Sequence, residues 1–376
     1  MQAASVVRTL RLIAGLVLMC FVAGHLCNLS LGIRSLAAME SWRPYLMGPW
    51  RSGPGIALLV GAALVHMSLG LYAIASRRSL AMSTTDVVQL CLGLATPPLL
   101  LNHAVVMHVA GEVSPGFDST FGQMLAVYWS FSPRYAFQQL GVVMVVWIHA
   151  AVGLYSWLVL KPVWRRIGGL VLPVLFALPI LALLGFAEAG KEVLDKLAND
   201  PAWRTHITDN LNLVVKATRR LDDAQANVLL AYGTLVILAA GILGWRIFRA
   251  RRDRVEVAYD GGQRVTGRLG LSVLEVSRLN DIPHAHVCSG RARCGTCRVG
   301  VDAGPGQLSP MENLERRTLA RVGAAAGDRL ACQARVLGKG VAVTRRLPAF
   351  ADASAARAPR EWSAAGAPAA SPESAA

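Results

Sequence analysis

The sequence predicts a bundle of six transmembrane α-helices followed by a small α+β domain. Hydrophobic residues make up 54% of the 376 residues and charged residues only 16%, below the roughly 25% typical of soluble domains. The apolar residues fall into runs of about 20, the length at which an α-helix crosses a bilayer. After Arg254 these runs stop, and short alternating segments separated by turn residues predict strands.

The predicted spans are 11–31, 55–75, 87–110, 138–160, 168–188 and 226–245. Lys and Arg concentrate on one side of them, from Arg8 and Arg77 to Lys161 and Arg246, so both termini are expected in the cytoplasm. This topology accounts for the net charge of +15, and no nucleic-acid partner is expected. The first run has no small-residue cleavage site before Arg34, which predicts a retained span.

The membrane domain is expected to cover residues 1–250. Its outer loop, 189–225, has the pattern of an amphipathic helix around Val193 and Leu197. The C-terminal domain is expected at 254–348, with a second helix beginning near Ser309, where Ser is a good N-cap and Pro follows it. Residues 349–376 lack apolar periodicity and are expected to be disordered.

Four cysteines of the C-terminal domain have the number and spacing of cluster ligands: Cys288, Cys294, Cys297 and Cys332. A tight loop must wrap three thiolates round one [2Fe–2S] centre, and Gly290 and Gly295 supply the backbone freedom for it. The alternative is a zinc site. Zinc usually uses two Cys-x2-Cys knuckles, and Cys332 stands alone. The other three cysteines lie in apolar runs and are interpreted as packing residues: Cys20, Cys27 and Cys91.

Four histidines lie at two matched depths of four spans: His66 with His149, and His25 with His103. Ionisable side chains at bilayer depth are functional candidates by default. Two stacked histidine pairs are what two bis-imidazole haems require. Gly70 and Gly153, each one turn from a histidine, would leave room for a porphyrin. The alternative is helix packing in which each histidine bonds a neighbouring Ser or carbonyl.

His108 competes with His103 for the third span. It lies only about three residues from the outer end of its predicted span, too shallow to face His25. We therefore assign His108 to the membrane interface and predict His103 as the ligand.

The segments His286-Val-Cys-Ser-Gly-Arg-Ala-Arg-Cys-Gly-Thr-Cys-Arg298 and Leu330-Ala-Cys-Gln333 resemble those of ferredoxins. The resemblance implies a β-grasp domain with one [2Fe–2S] cluster. The first gap of five residues is closer to the adrenodoxin-like branch than to the plant type. Ferredoxins are usually acidic, whereas Arg291, Arg293 and Arg298 suggest an acidic redox or signalling partner, or the anionic membrane face.

Spans one to five resemble the dihaem cytochrome b anchor of succinate dehydrogenases and fumarate reductases, which implies two haem b groups. The bundle together with the ferredoxin segment resembles the N-terminal half of certain bacterial membrane-bound class III adenylate cyclases. The matching membrane segments are Gly24-His-Leu-Cys-Asn28 and Pro97-Pro-Leu-Leu-Leu-Asn-His103. A cyclase domain follows in those proteins. This chain ends about 30 residues after its ferredoxin segment, so cyclase activity is not expected.

These features predict an electron carrier or oxidoreductase subunit in the lipid bilayer. Electrons, from quinone or quinol, would pass over two b haems to or from the cytoplasmic cluster. The alternative is a redox-sensing receptor module that regulates a separate adenylate cyclase or another signalling partner. Ion or solute transport is disfavoured because the intramembrane charges needed for coupling are nearly absent. A homodimer is left open.

Overall fold

The computed structural model describes residues 3–114, 116–215, 218–249, 253–352 and 354–356. Its first two thirds are helical: α1 (Ala3–Ser30), α2 (Leu36–Leu46), α3 (Gly48–Arg51), α4 (Gly53–Ala75), α5 (Thr84–Val113), α6 (Phe121–Ala126), α7 (Arg134–Leu158), α8 (Trp164–Asn199), α9 (Pro201–Val215) and α10 (Thr218–Arg249). Within this part of the chain, six helices are long and apolar enough to cross a membrane: α1, α4, α5, α7, α8 and α10. The predicted six-helix bundle is confirmed.

The bundle has two distinct ends. One end carries Arg8, Arg77, Lys161 and Arg246 and is called the basic end below; the opposite end is the distal end. Helix α1 packs against α4 and α8, α5 packs against α7, and α10 contacts both α4 and α5. The densest core of the bundle lies at the distal end, where α2, α6 and α9 surround the second half of α8.

The fifth predicted span is longer than the sequence suggested. Helix α8 continues without a break from residue 188 to Asn199. Its extension is stable because Val193 and Leu197 are buried in the distal core, and because Glu192 accepts a hydrogen bond from the backbone N–H of Leu36 at 2.7 Å. The segment predicted as the outer loop therefore contains the end of α8, all of α9 and the start of α10, rather than one separate amphipathic helix.

Helix α5 carries two prolines within the bundle, Pro97 and Pro98. A proline has no N–H, so Pro98 leaves the carbonyl of Leu94 without its helical donor. The hydroxyl of Tyr232 on α10 donates to that carbonyl at 2.8 Å. Re-pairing from a neighbouring helix is how membrane proteins tolerate such a break, and here it ties α10 to the helix that carries His103.

The C-terminal domain is a five-stranded mixed sheet with two helices. Its elements are β1 (Arg254–Tyr259), β2 (Arg264–Arg268), α11 (Val273–Leu279), β3 (Arg298–Ala303), α12 (Asn313–Arg321), β4 (Arg329–Leu330) and β5 (Val341–Arg345). The strand order is β2-β1-β5-β3-β4, with β1 and β5 parallel and the other neighbours antiparallel. Alternate residues of β1 are buried against α11 in one core. The predicted α+β domain is confirmed.

The predicted start of the second helix is wrong. Helix α12 begins at Asn313 after Glu312, not at Ser309. The backbone of Ser309 instead donates to the carbonyl of Arg335 at 2.8 Å, next to a bridge between Leu308 and Val336. The backbone around Ser309 is therefore extended and paired with the segment at Arg335, so a helix cannot begin there. The expected tail at 349–376 lies largely outside the described residues.

Candidate functional site

The loop between α11 and β3 carries three of the four predicted cluster cysteines. Around the cysteines, four residues of this loop have positive φ angles: Ser289 (54°), Gly290 (86°), Ala292 (53°) and Gly295 (73°). Such a succession turns the chain tightly and directs backbone N–H groups inward. Cys288, Cys294 and Cys297 are thereby gathered under the domain surface, and Cys332 reaches them from the segment after β4. All four cysteines are buried.

The thiols lie as two pairs. The Sγ atoms of Cys288 and Cys294 are 3.2 Å apart, and Cys297 contacts Cys332 in the same way. Among the described residues, no three His, Cys, Asp or Glu side chains lie close enough to share one metal ion. A tetrahedral zinc site would bring all four sulfurs about equally near one centre. Two pairs fit a group with two irons, each of which takes two thiolates.

Hydrogen-bond donors surround the sulfurs. The Cys288 Sγ accepts from the backbone N–H of Arg293 at 3.5 Å, and the Cys294 Sγ accepts from the N–H of Thr296 at 3.4 Å. The amide of Gln333 donates to the Cys332 Sγ at 3.3 Å. Donors of this kind stabilise negative charge on thiolates and on a bound cluster.

The thiol pKa values follow from the pairing. A hydrogen bond from Cys294, followed by those from backbone N–H groups, lowers the pKa of Cys288 to about 5. The same contact, added to burial, raises the pKa of Cys294. Contact with Cys332 and burial raise the pKa of Cys297. Binding a metal requires each of these thiols to lose its proton.

A buried ion pair supports the fourth cysteine, and sequence reasoning missed it. Glu315 on α12 is 1% exposed. It accepts from Arg329 Nε at 2.8 Å and Nη2 at 3.0 Å, and from the backbone N–H of Leu330 at 2.8 Å. These bonds fix the segment that runs into Cys332. In the sequence, only the apolar face of a short charged helix indicated that one side of α12 is buried.

In the bundle, the structure brings together His66 of α4 and His149 of α7, with ring centroids 6.1 Å apart and planes at 89°. The Nδ1 atom of His66 lies 3.0 Å from the carbonyl oxygen of Arg11, and that of His149 lies 3.1 Å from the carbonyl of Gln89. A carbonyl only accepts, so both Nδ1 atoms carry the proton. Both Nε2 atoms are then lone-pair donors, the state that a metal ligand needs.

Two glycines make room for these imidazoles. A Cβ atom on Gly15 of α1 would lie 2.9 Å from His66 Cε1, and one on Gly93 of α5 would lie 2.8 Å from His149 Cε1. Each glycine follows by four residues the carbonyl that its histidine binds. Gly70 and Gly153, predicted from the sequence to leave room for a porphyrin, do not face these imidazoles. A Cβ atom on Gly70 meets open space, and one on Gly153 contacts Gln89.

The second pair lies nearer the distal end. The rings of His25 and His103 have centroids 6.0 Å apart at 50°. The ring of His25 is nearly parallel to those of Phe21 and Phe121 and contacts both, and the Nδ1 atom of His103 lies 3.2 Å from the hydroxyl of Tyr128. The side chain of His108 lies outside the described part of the chain. The structure thus pairs the histidines as the depth analysis did, while haem ligation stays a prediction.

The C-terminal domain rests on the basic end, with its cysteine loop facing the bundle. Arg291 Nη2 binds the carboxylate of Asp86 in the first turn of α5 at 3.1 Å. The hydroxyls of Ser83 and Ser289 are 3.0 Å apart, and Leu160, after α7, packs against the first cysteine pair. Arg291 therefore meets an acidic group of its own chain. An acidic partner protein stays a prediction.

Comparisons with known proteins agree with the cysteine site. Residues 258–337 match the family of 2Fe-2S iron-sulfur cluster binding domains. Chlorosome protein I from Chlorobaculum tepidum is 33% identical over 72 residues, which are 19% of this chain and 30% of that protein. The chain thus spans about a third of the length of the curated relative it matches.

Among solved structures, the crystal structure of the ISC-like [2Fe-2S] ferredoxin from Pseudomonas putida JCM 20004 is similar. It is 24% identical, covers 26% of this chain and 94% of its own, and has a TM-score of 0.22. The C-terminal domain is a ferredoxin-type [2Fe–2S] domain, which implies iron–sulfur electron transfer.

Proposed function

We propose that this protein transfers electrons between two b-type haems in its membrane bundle and one [2Fe–2S] cluster in its C-terminal domain. The observation that carries the proposal is that both histidine pairs share a ring separation suited to a shared metal. An iron bonded to two opposed imidazoles at about 2 Å would hold their centroids about 6 Å apart. The centroids here are 6.1 Å and 6.0 Å apart.

The residues of the bundle would hold and orient the haems. His66 and His149 would be the axial ligands at the basic end, and their carbonyl partners fix the rings and keep Nε2 available. His25 and His103 would be the ligands nearer the distal end, and Phe21 and Phe121 would limit the rotation of His25. A bound haem supplies a reversible one-electron couple.

In the C-terminal domain, some residues would bind the cluster and others would stabilise its charge. Four buried thiolates would hold the irons in two pairs, and N–H donors to the sulfurs would stabilise the added negative charge of the reduced state. No proton has to move in such a step. The domain therefore suits one-electron exchange rather than group transfer.

Quinol is the proposed donor to the bundle. A cavity of about 390 Å³ opens between α5, α7 and α10. Pro98 and Leu229 are among its apolar lining residues, and its polar side chains are those of Asn102, Tyr135, Gln138, Asp222 and Gln225. Its volume is within the range of small-molecule sites. Asn102 immediately precedes His103, so the cavity adjoins the helix turn that would ligate the outer haem.

A redox-titrated absorption and EPR spectrum of the purified protein tests the proposal. Two b-type transitions and one [2Fe–2S] signal are expected, with reduction of the haems by a quinol analogue. Stoichiometric zinc without acid-labile sulfide would contradict the cluster. A preparation with the cluster but without b-type absorbance would contradict the bundle's role. A cluster whose redox state controls a partner enzyme, without steady turnover, would favour the sensing alternative.

A further inference from the structure

The contact between the cluster loop and the basic end has the composition of a specific interface. Asp86 is 8% exposed, and its carboxylate is shared between Arg291 and the hydroxyl of Ser83, which donates at 2.9 Å. Ser83 caps α5 and also contacts Ser289 of the loop. The N-terminus of α5 therefore also binds the loop between Cys288 and Cys294.

Further bonds on either side hold the same orientation. The Arg8 guanidinium donates to the carbonyl of Arg291 at 3.2 Å. The hydroxyl of Ser79, 1% exposed, donates to Glu275 at 2.8 Å. Glu275 is also the residue that closes the capping box of α11. Contacts from α1, from the segment before α5 and from α5 itself would all have to break for the domain to leave the bundle.

The charges at this contact favour an electron on the cluster. Four guanidinium groups lie near that of Arg11: Arg8, Arg77, Arg291 and Arg293. Asp86 supplies a carboxylate there. A surplus of positive charge stabilises the more negative, reduced cluster. Arg11 also provides the carbonyl that orients His66, so one residue joins the electrostatic surroundings of the cluster to the histidine pair.

Few residues of α7 separate the basic-end histidine pair from the residue that contacts the cysteines. Leu160 packs on Cys288 and Cys294, and His149 lies 11 residues earlier, almost all along α7. Eleven residues of helix rise about 16 Å. The bundle therefore presents its basic-end histidine pair directly behind the surface that the cysteine loop covers.

We propose that the Asp86–Arg291 pair holds a fixed electron-transfer junction, in which the immediate redox partner of the cluster is the His66/His149 site of the same chain. The inference rests on the function proposed above and names its partner. One electron leaves the reduced cluster and reduces one ferric haem iron, or the reverse. No bond forms and no proton moves. Asp86 is a positioning residue.

The kinetic test compares Asp86→Asn with Asp302→Asn, which changes an exposed carboxylate of the C-terminal domain that accepts from Thr344. Electron exchange between cluster and haem is followed after rapid reduction of the detergent-solubilised protein at several protein concentrations. The wild type should exchange with a rate independent of concentration. Asp86→Asn should be slower by about tenfold, because an unpaired Arg291 weakens docking. Asp302→Asn should not change.

Two further results separate positioning from misfolding. The double variant Asp86→Arg with Arg291→Asp should restore most of the rate, and the EPR spectrum of the cluster should be the same in all variants. An unchanged rate in Asp86→Asn, or a wild-type rate proportional to protein concentration, would overturn the inference. In the double variant neither original residue is present, but the two charges can still pair. A restored rate would therefore show that the ion pair itself positions the domain.

A cross-link reports the junction without any haem. Cysteines introduced by Ser83→Cys and Ser289→Cys should form a disulfide, since the hydroxyls they replace are 3.0 Å apart. The matched pair Ser83→Cys and Ser354→Cys should not. The cross-linked protein should keep its fast exchange. Failure to cross-link, or loss of exchange on cross-linking, would overturn the fixed junction. If the disulfide forms in a protein that lacks b-type absorbance, the contact between the cluster loop and α5 is supported. The proposed haem-linked function, and with it the His66/His149 site as redox partner, is then contradicted.

Discussion

At the scale of single residues, Cys294 is the predicted cluster ligand whose removal is most informative. Its thiol is fully buried and lies beside Cys288, so Ser in its place removes one thiolate without leaving an obvious substitute nearby. We expect Cys294→Ser to abolish the [2Fe–2S] signal and leave b-type absorbance intact, as measured by EPR, iron and acid-labile sulfide. Cys91→Ser, on the exposed side of α5, is the control and should change neither. Retention of the cluster in Cys294→Ser would refute the ligand set.

Glu315 makes a second residue-scale prediction. Its carboxylate is buried and binds Arg329, so Glu315→Ala leaves a guanidinium buried without its partner. Breaking such a pair costs about 3–5 kcal/mol, and we expect destabilisation of that size, with loss of the cluster because the segment before Cys332 loosens. Chemical denaturation followed by the visible absorbance of the cluster measures it.

The neighbouring Glu312 is the matched control for Glu315. It precedes the same helix, is exposed and makes no side-chain cap bond. Glu312→Ala should stay within about 0.5 kcal/mol of the parent, as surface substitutions usually do. Equal losses in the two variants would show that α12 responds to any change of charge and that the buried pair has no special role.

The cysteines and Glu315 show what a sequence reveals at this scale. Cluster ligands follow a fixed spacing because a loop of given length must wrap a cluster of given size, so the spacing of the four cysteines predicts them as ligands, and the family match supports a cluster in this domain. Glu315 gave no such signal. A glutamate in a short charged helix is usually solvated, and only the return of Arg329 from a distant segment makes it a buried partner.

At the scale of helices, the two histidine pairs should behave as separate units. We expect His66→Ala to remove the haem at the basic end, because His149 cannot complete two axial bonds alone, and to preserve most of the other haem. His25→Ala should do the reverse. Redox titration of the b-type bands distinguishes the two. His206→Ala, on the exposed face of α9, should retain both haems.

The assignment of His103 rather than His108 as the ligand on α5 has a separate test. Loss of a haem in His108→Ala, with both retained in His103→Ala, would reverse the assignment in the third span. The reason for expecting otherwise is that the ring of His103 lies beside that of His25.

Gly93 tests the helix packing that positions His149. A side chain there would occupy the space of the imidazole, with Cβ 2.8 Å from Cε1. We expect Gly93→Val to lower occupancy of the basic-end haem or shift its midpoint potential, measured on the same spectra. Gly61→Val on α4 is the control, because a Cβ there meets nothing within 4 Å. Equal effects of both substitutions would point to general helix destabilisation.

Helix lengths show where periodicity fails as a guide. The apolar run predicted an end of the fifth span at 188, but α8 continues to Asn199, because its polar half packs on α6 and α9 at the distal end rather than in lipid. Gly15 and Gly93 were missed for a related reason. A glycine in an apolar run has many packing roles, and which helix approaches it depends on the assembled bundle.

At the scale of the whole molecule, the relation between the two domains could not be read from the sequence. The excess of arginine around the cluster was visible, but the sequence left open whether a partner protein or the membrane face would meet it. The structure places Asp86 of the bundle against Arg291. One acidic residue at the start of a span gives no signal of its own, because Asp is common in the first turn of helices for reasons of capping and dipole.

The orientation of the molecule in the membrane is the remaining whole-molecule prediction. Positive residues at the basic end favour its retention in the cytoplasm, which would also place the C-terminal domain there and α9 outside. A cysteine at Thr205→Cys, on the exposed side of α9, should react with a membrane-impermeant maleimide in intact cells. One at Gln263→Cys, in the exposed turn between β1 and β2, should react only after permeabilisation. The native cysteines give little background, since Cys20, Cys27 and Cys91 lie within spans and the cluster ligands are buried. Labelling of Gln263→Cys but not Thr205→Cys in intact cells would invert the topology, and a quinol-linked bundle would then deliver electrons to the outer face.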